Sequence, residues 1–135
     1  MTRHPEWRSR LAAHLAAHAR IAFRPGQHDC VLFAAGARLA VRGEDLITAF
    51  KGRYTTIEEG FALAVEAGFA DPFEGVVAGL EEIPPAFAQV GDLALLEGTD
   101  GLPAMGIVQG AMIACLNPRG AGLVPITDAR KVWRQ

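Results

Sequence analysis

The chain has 135 residues, half of them apolar, which suits one folded domain with its own hydrophobic core. The formal net charge of −2 is far from the basic excess typical of nucleic-acid-binding domains, and the two cysteines are too few for a disulfide scaffold. No stretch reaches the ~20 apolar residues that cross a bilayer, and the arginine-containing N-terminus lacks the apolar run of a signal peptide. We expect a single domain over residues 1–135, with no nucleic-acid partner, membrane span or signal peptide.

The first predicted helix follows from a stripe of residues at helical spacing, Trp7, Leu11, Leu15, His18 and Ala22. It covers residues 5–22 and stops before Pro25, which disfavours helical backbone at the preceding residue. A second helix, over residues 30–42, begins after the N-cap Asp29 and is apolar nearly all round, which describes a buried central helix.

A third helix is predicted over residues 56–67, because Thr56 and Glu59 match a capping box. A weaker pattern suggests a short helix over residues 72–80. From Gly91 onward the apolar runs are short and separated by turn residues, which predicts antiparallel strands at residues 93–96, 105–108, 112–116 and 123–126.

The turns of this region are predicted at residues 98–101, 109–110 and 117–120, and the tail over 128–133 adds a helical turn and an edge strand. Helices first and strands second indicate an α+β fold, with a small sheet over about residues 92–126 on which the second helix packs.

Cys30 is the sharpest candidate for chemistry, because it follows Asp29 in the first turn of the apolar helix. Unpaired N–H groups and the helix dipole favour a thiolate there, and the thiolate is the nucleophilic form of cysteine. Cysteine also serves as a small buried hydrophobe, so a structural role remains the alternative.

The order of these parts resembles the NlpC-type papain-like cysteine peptidases. Three stretches carry the resemblance: residues 26–30, which end in Asp-Cys, the Gly-Asp-Leu at 91–93, and the strand-like 105–110. The resemblance implies a papain-like α+β fold with Cys30 at the position of the nucleophile.

The histidine that serves as general base in that superfamily is missing. Ala104 and Met105 stand where it is expected, and neither side chain accepts a proton. On the next strand, residues 113–115 replace the polar residue that orients the base. The resemblance therefore implies a domain that has lost half of its catalytic apparatus.

The chain is also similar to a small branch of that superfamily encoded by phages and prophage-like elements beside tail genes. Besides Asp-Cys and Gly-Asp-Leu, the shared pattern includes Gly52-Arg53-Tyr54, an Ala-x-Gly-Ile strand, and Pro125-Ile126 followed by Arg130 and Trp133. The gene setting implies a tail-tip or tail-assembly component, in the virion or in the cytoplasm of the bacterial host during assembly.

The histidines of this chain all precede Cys30. His28 is two residues from the cysteine and is the candidate replacement base. His14 and His18 have the i, i+4 spacing of a metal chelate but lack the glutamate of a zincin motif, so we expect no metal and no cofactor. A disulfide between Cys30 and Cys115 stays open at this stage.

Two functions remain. The first is a non-catalytic or catalytically degenerate phage tail component, with other tail proteins as partners or with copies of itself as a homo-oligomer. The uneven charge supports docking, because residues 1–24 hold five arginines and one acid while residues 44–100 hold twelve acids, although a solvated surface explains the same pattern. The second is a cysteine hydrolase with Cys30 as nucleophile, acting on peptidoglycan peptides or related amide or ester bonds.

Overall fold

Helices occupy the N-terminal half of the chain and most strands the C-terminal half. The computed structural model describes residues 3–98, 103–117 and 119–135. Its helices are α1 (Trp7–His18), α2 (Cys30–Arg42), α3 (Ile57–Glu66) and α4 (Pro72–Val77). Its strands are β1 (Glu82–Ile83), β2 (Leu93–Glu97), β3 (Pro103–Val108), β4 (Met112–Asn117), β5 (Gly120–Pro125) and β6 (Lys131–Trp133). The predicted α+β class is confirmed.

The strands form one antiparallel sheet in the order β1-β6-β2-β3-β4-β5. Strands β2 to β5 follow one another as a meander, whereas β6 returns to lie between β1 and β2, where Val132 pairs with both Ile83 and Ala94. The prediction that the tail forms an edge strand is wrong, because β1, which the sequence analysis did not identify, covers it. Strand β1 has only two residues and ends before Pro84, so it is too short to show the alternation of apolar and polar residues by which a strand is recognised in a sequence.

Helix α1 is shorter than predicted and ends at His18 instead of residue 22. Beyond the cap the chain turns, and Arg24 then pairs with His28 in an isolated antiparallel bridge. The backbone therefore leaves the helical path before Pro25 is reached and enters a local turn closed by this bridge.

The last strand of the meander starts earlier than predicted, at Gly120 instead of residue 123, and ends at Pro125. Glycines at 120 and 122 interrupt the apolar pattern, but both pair with β4 residues. The predicted turn at 109–110 lies between β3 and β4. The predicted turns at 98–101 and 117–120 fall partly on residues 99–102 and 118, outside the described part of the chain.

The central helix α2 is buried on nearly every face. Ten of its residues are buried, and they pack with one face of the sheet, represented by Leu93, Met105 and Ile107. Each large apolar side chain in this layer, such as Leu32 or Phe33, contributes about 1.5–3 kcal/mol when it is taken out of water, so the layer is a main source of the stability of the domain. Across the residues that the structure describes, none of the helices has the length and apolar character needed to span a membrane.

The other face of the sheet carries a second, smaller apolar cluster that includes Leu96, Ile113, Cys115 and Val132. Strand residues alternate between the two faces, so neighbours such as Ala104 and Met105 belong to different clusters. This alternation decides which β3 side chains face α2.

Asp92 ties the C-terminal residues to the start of β2. Its fully buried carboxylate accepts backbone N–H bonds from Gln89 at 2.8 Å and Gln135 at 3.0 Å. The Arg134 guanidinium donates to the same carboxylate at 3.2 Å, and Arg3 lies 3.8 Å away. The Gly-Asp-Leu motif therefore organises this end of the sheet.

Replacing Asp92 with alanine is expected to lower the free energy of unfolding by about 2–4 kcal/mol, because buried N–H groups and a cation lose their acceptor. The measurement is urea denaturation followed by circular dichroism. The matched control is Glu97→Ala, which removes an ion pair with Arg130 whose side chains are 63% and 60% exposed. The control should cost less than about 0.5 kcal/mol, and equal losses in the two variants would contradict this role of Asp92.

Candidate functional site at the start of α2

Asp29 caps α2 and joins two loops to it. Its Oδ1 accepts the Leu32 N–H at 2.9 Å, and its Oδ2 accepts the Gly26 N–H at 2.9 Å. The Tyr54 hydroxyl donates to Oδ2 at 2.5 Å. The carboxylate is only 4% exposed, so three donors replace the water that burial removes. Asp29 is thus fully engaged in holding the backbone around the helix start.

The loop before α2 interlocks with the segment that carries Tyr54. Gly26 has a φ of +81°, and a Cβ there would meet the Tyr54 carbonyl oxygen at 1.8 Å, so only glycine fits. The Gly52 N–H donates to the Gly26 carbonyl at 2.7 Å. Burial, together with the bond to Asp29, raises the pKa of Tyr54, which remains a neutral donor. The resemblance pointed to Gly52-Arg53-Tyr54, but no local signal predicts its bond to Asp29.

Cys30 is half-buried at the first turn of α2, against β3. Burial raises the pKa of its thiol to about 11, and the negative charge of Asp29 acts in the same direction. A hydrogen bond with the Met105 backbone opposes both effects without overcoming them. Burial and the neighbouring carboxylate thus act against the thiolate that the helix terminus favours.

Ala104 and Met105, which stand where the sequence resemblance leads one to expect a general base, are packing residues. Met105 is fully buried in the cluster that contains α2, next to Cys30, while Ala104 packs with the cluster on the other face of the sheet. Both cysteines are free, and Cys115 belongs to that second cluster, so the structure contains no Cys30–Cys115 disulfide. The β3 side of the site consists of a thioether and backbone.

His28 contacts α1, although it is close to Cys30 in sequence. Its ring stacks on His18, with centroids 4.3 Å apart and planes at 21°. Burial lowers the pKa of His28, which is 4% exposed. Among the described residues, no hydrogen bond joins the His28 ring to Cys30. The structure thus places Asp29 and Cys30 together and directs the candidate base His28 toward α1.

His14 and His18 complete this cluster of rings. The His14 ring lies 4.1 Å from His18, and its Nε2 is 2.8 Å from the Phe33 carbonyl oxygen. Sequence reasoning treated these two histidines separately from His28, since residues 19–27 show no pattern that predicts the approach. Within the described ranges, no group of three or more His, Cys, Asp or Glu side chains is arranged to hold a metal ion.

A groove of about 320 Å³ lies beside the histidines, between the end of α1, Phe33 of α2 and strands β4 and β5. Its lining is mainly apolar, including Leu15, Ala114 and Leu116, with His18 and Gln109 as its longer polar side chains. Cys30 is not among the residues that line it. The groove and the thiol are neighbouring but separate features.

The fold and site together define an α+β domain whose central helix is capped by Asp29 and begins with a cysteine of raised pKa. A family model matches residues 2–135, and the chain belongs to this family, a domain of unknown function (DUF6950). No curated protein matches the chain.

Tyr54→Phe is expected to lower the free energy of unfolding by about 1.5–3 kcal/mol, because a buried carboxylate loses a hydroxyl donor while the ring is retained. Urea denaturation checks this value. Ser9→Ala is the control, since it removes an exposed hydroxyl that donates to the Glu6 carbonyl. It should change stability by less than about 0.5 kcal/mol, and a Tyr54→Phe protein as stable as this control would show that the bond to Asp29 contributes little.

Proposed function

We propose that this chain is a catalytically silent papain-like domain that serves as a structural component of a phage or prophage tail, at the tail tip or in tail assembly. The main observation behind the proposed lack of catalysis is the raised pKa of the Cys30 thiol. Burial and Asp29 keep its sulfur protonated, and Met105 occupies the side from which a base would act. A thiol without a proton acceptor is a poor nucleophile.

The residues shared with the tail-associated branch have structural roles in this chain, which supports the same reading. Tyr54 supports the cap of α2, and Asp92 holds the C-terminal residues against the sheet. The backbone N–H of Arg130 donates to the Leu95 carbonyl at 2.9 Å, which fixes the position of Arg130 beside β2. A pattern made of such residues maintains a fold and does not require chemistry.

The partners in this proposal are other tail proteins, or copies of the chain, docked through its unequal charge. Arg10 is committed to α2, because it donates to the carbonyls of Leu39 and Ala40. Arg8, Arg20 and Arg24 are exposed at the surface of the basic N-terminal segment, and the Arg8 guanidinium lies 4.4 Å from the Trp7 ring centroid. They are the arginines of this segment that we expect a complementary acidic surface to contact.

The second candidate is a cysteine hydrolase acting on peptidoglycan peptides or related amide or ester bonds. The observation in its favour is the placement of Cys30, at the N-terminus of a buried helix that packs against β3. This function requires a base from His28 after rearrangement or from a partner protein, and a fall in the pKa of Cys30 on assembly.

The pH dependence of Cys30 alkylation distinguishes the two functions. In a Cys115→Ser protein, iodoacetamide should react with an apparent pKa near 11, so that at pH 8 only about one thiol in a thousand is thiolate. The same protein in denaturant is the control and should react with the ordinary cysteine pKa of about 8.5. A Cys30 pKa that is lower in the folded protein than in the denatured control would contradict an unreactive thiol and favour the hydrolase.

Particle assembly tests the structural role. In a phage or prophage that carries the gene, Cys30→Ala should leave particle yield and infectivity unchanged, because the thiol performs no reaction. The double reversal Arg8→Glu/Arg20→Glu should reduce particle yield at least about tenfold while the purified protein stays folded, since like charges oppose docking. Loss of infectivity in Cys30→Ala with normal yield in the double reversal would overturn the proposal.

A further inference from the structure

Helix α1 is attached to the domain by a short apolar stripe and by polar and aromatic contacts. Leu11 is its single buried residue, Trp7 and Leu15 are partly buried against the main core, and no side chain caps its N-terminus. Arg10 donates to carbonyls at the end of α2 at 2.9 and 3.0 Å. Because one buried residue is a small share of this helix, the position of its C-terminal half also depends on the contacts of its polar and aromatic side chains.

Those contacts come from the cluster formed by His14, His18 and His28. The rings lie in a row, with His18 between the other two at centroid distances of 4.1 and 4.3 Å. His14 and His18 also contact the Phe33 ring of α2, at 5.4 and 5.3 Å. The C-terminal half of α1 is therefore joined to α2 and to the loop before it through imidazole rings.

The surroundings of the cluster favour neutral rings. His18 Nδ1 and His28 Nε2 are buried and have no hydrogen-bond partner. The charged groups that act on the rings are Lys51, which opposes a further positive charge, and Asp29, which favours one at His28. The groove contributes the uncharged Cys115 and Gln109 beside His18.

We propose that the three adjoining histidines, of which His18 and His28 stack while His14 is tilted at 59° to His18, are an acid-operated latch. The latch holds the C-terminal half of α1 on α2 at neutral pH and releases it on acidification while the sheet and α2 remain folded. Neutral rings stack, but two adjacent imidazolium rings repel each other in a site without a counter-ion between them. Only α1 and the loop before α2 depend on this contact, so release is local.

The direction of the pH effect follows from proton binding. Burial lowers the pKa of all three histidines in the docked state, that of His18 to about 3, whereas released rings return toward 6.5. Docking is thus fully favoured above about pH 6.5 and weakens as the pH falls below that value. For His18 alone, each pH unit favours release about tenfold until about pH 3, or roughly a hundredfold at pH 4.5.

Release has a structural consequence at the groove. Leu15, His18 and Ala19 form its α1 wall, and Ala114 and Leu116 of β4 lie on its sheet side. Movement of α1 away from α2 would widen this groove and uncover the ring of Phe33. The latch therefore couples proton uptake to exposure of an apolar surface.

Hydrogen exchange detected by mass spectrometry tests the latch, with protection factors corrected for the intrinsic effect of pH. Between about pH 7.5 and 4.5, protection of the α1 peptide should fall at least about thirtyfold in the native sequence, while β2 and β3 change less than about threefold. In His18→Phe/His28→Phe, which keeps aromatic contacts but removes two of the three proton sites, the fall in α1 protection should be at least about threefold smaller than in the native sequence. An equal fall in α1 and the sheet, no fall in α1, or an unchanged fall in the double variant would each overturn the proposal.

A second variant tests the contact without removing a histidine. A Cβ at Gly36 would meet the His14 ring at 2.1 Å, so Gly36→Ala must displace that ring. Its α1 protection at about pH 7.5 should already be reduced at least about tenfold, with α2 and the sheet still protected. Native-like α1 protection in Gly36→Ala would show that the His14 contact does not hold the helix, and would overturn the latch even if the double phenylalanine variant failed to fold.

Discussion

The domain is organised by the need to bury a helix that is apolar on nearly all sides. Ten residues of α2 are buried, so it requires the sheet on one side and other helices on the rest. The N–H groups at the buried start of α2 are shielded from water and need protein acceptors. The carboxylate of Asp29 accepts one of them, from Leu32, and also accepts hydrogen bonds from Gly26 and Tyr54. The loop around Gly26 and the segment of Tyr54 take their positions from this one buried group.

The same constraint explains why the pKa of the Cys30 thiol is raised. A helix N-terminus lowers the pKa of a thiol when the thiol is solvated and the nearest charges are positive. At Cys30, burial and the charge of Asp29 raise the pKa to about 11, against the opposing effect of a hydrogen bond with the Met105 backbone. The group that stabilises the helix start thus disfavours a negative charge one residue further on.

Buried polar groups divide the molecule into a rigid part and a part sensitive to pH. Asp92 is surrounded by donors and fastens the C-terminal residues to the sheet. His18 and His28 each leave a buried ring nitrogen without a partner. A fully satisfied buried group stabilises one arrangement, whereas unsatisfied titratable groups allow proton uptake to shift the balance between arrangements. Helix α1 is the element attached through the second kind of contact.

The sequence by itself determined the features whose signals lie within a few residues. The capping of α2 by Asp29 and the capping box of Thr56 and Glu59 are bonds between residues three apart, and the α+β order follows from apolar spacing. Only the tertiary structure decided the insertion of β6 between β1 and β2, the early end of α1, the raised pKa of Cys30 and the stacking of His28 on His18. These depend on how separate elements pack against one another, which is set by burial of the whole core and leaves no local pattern.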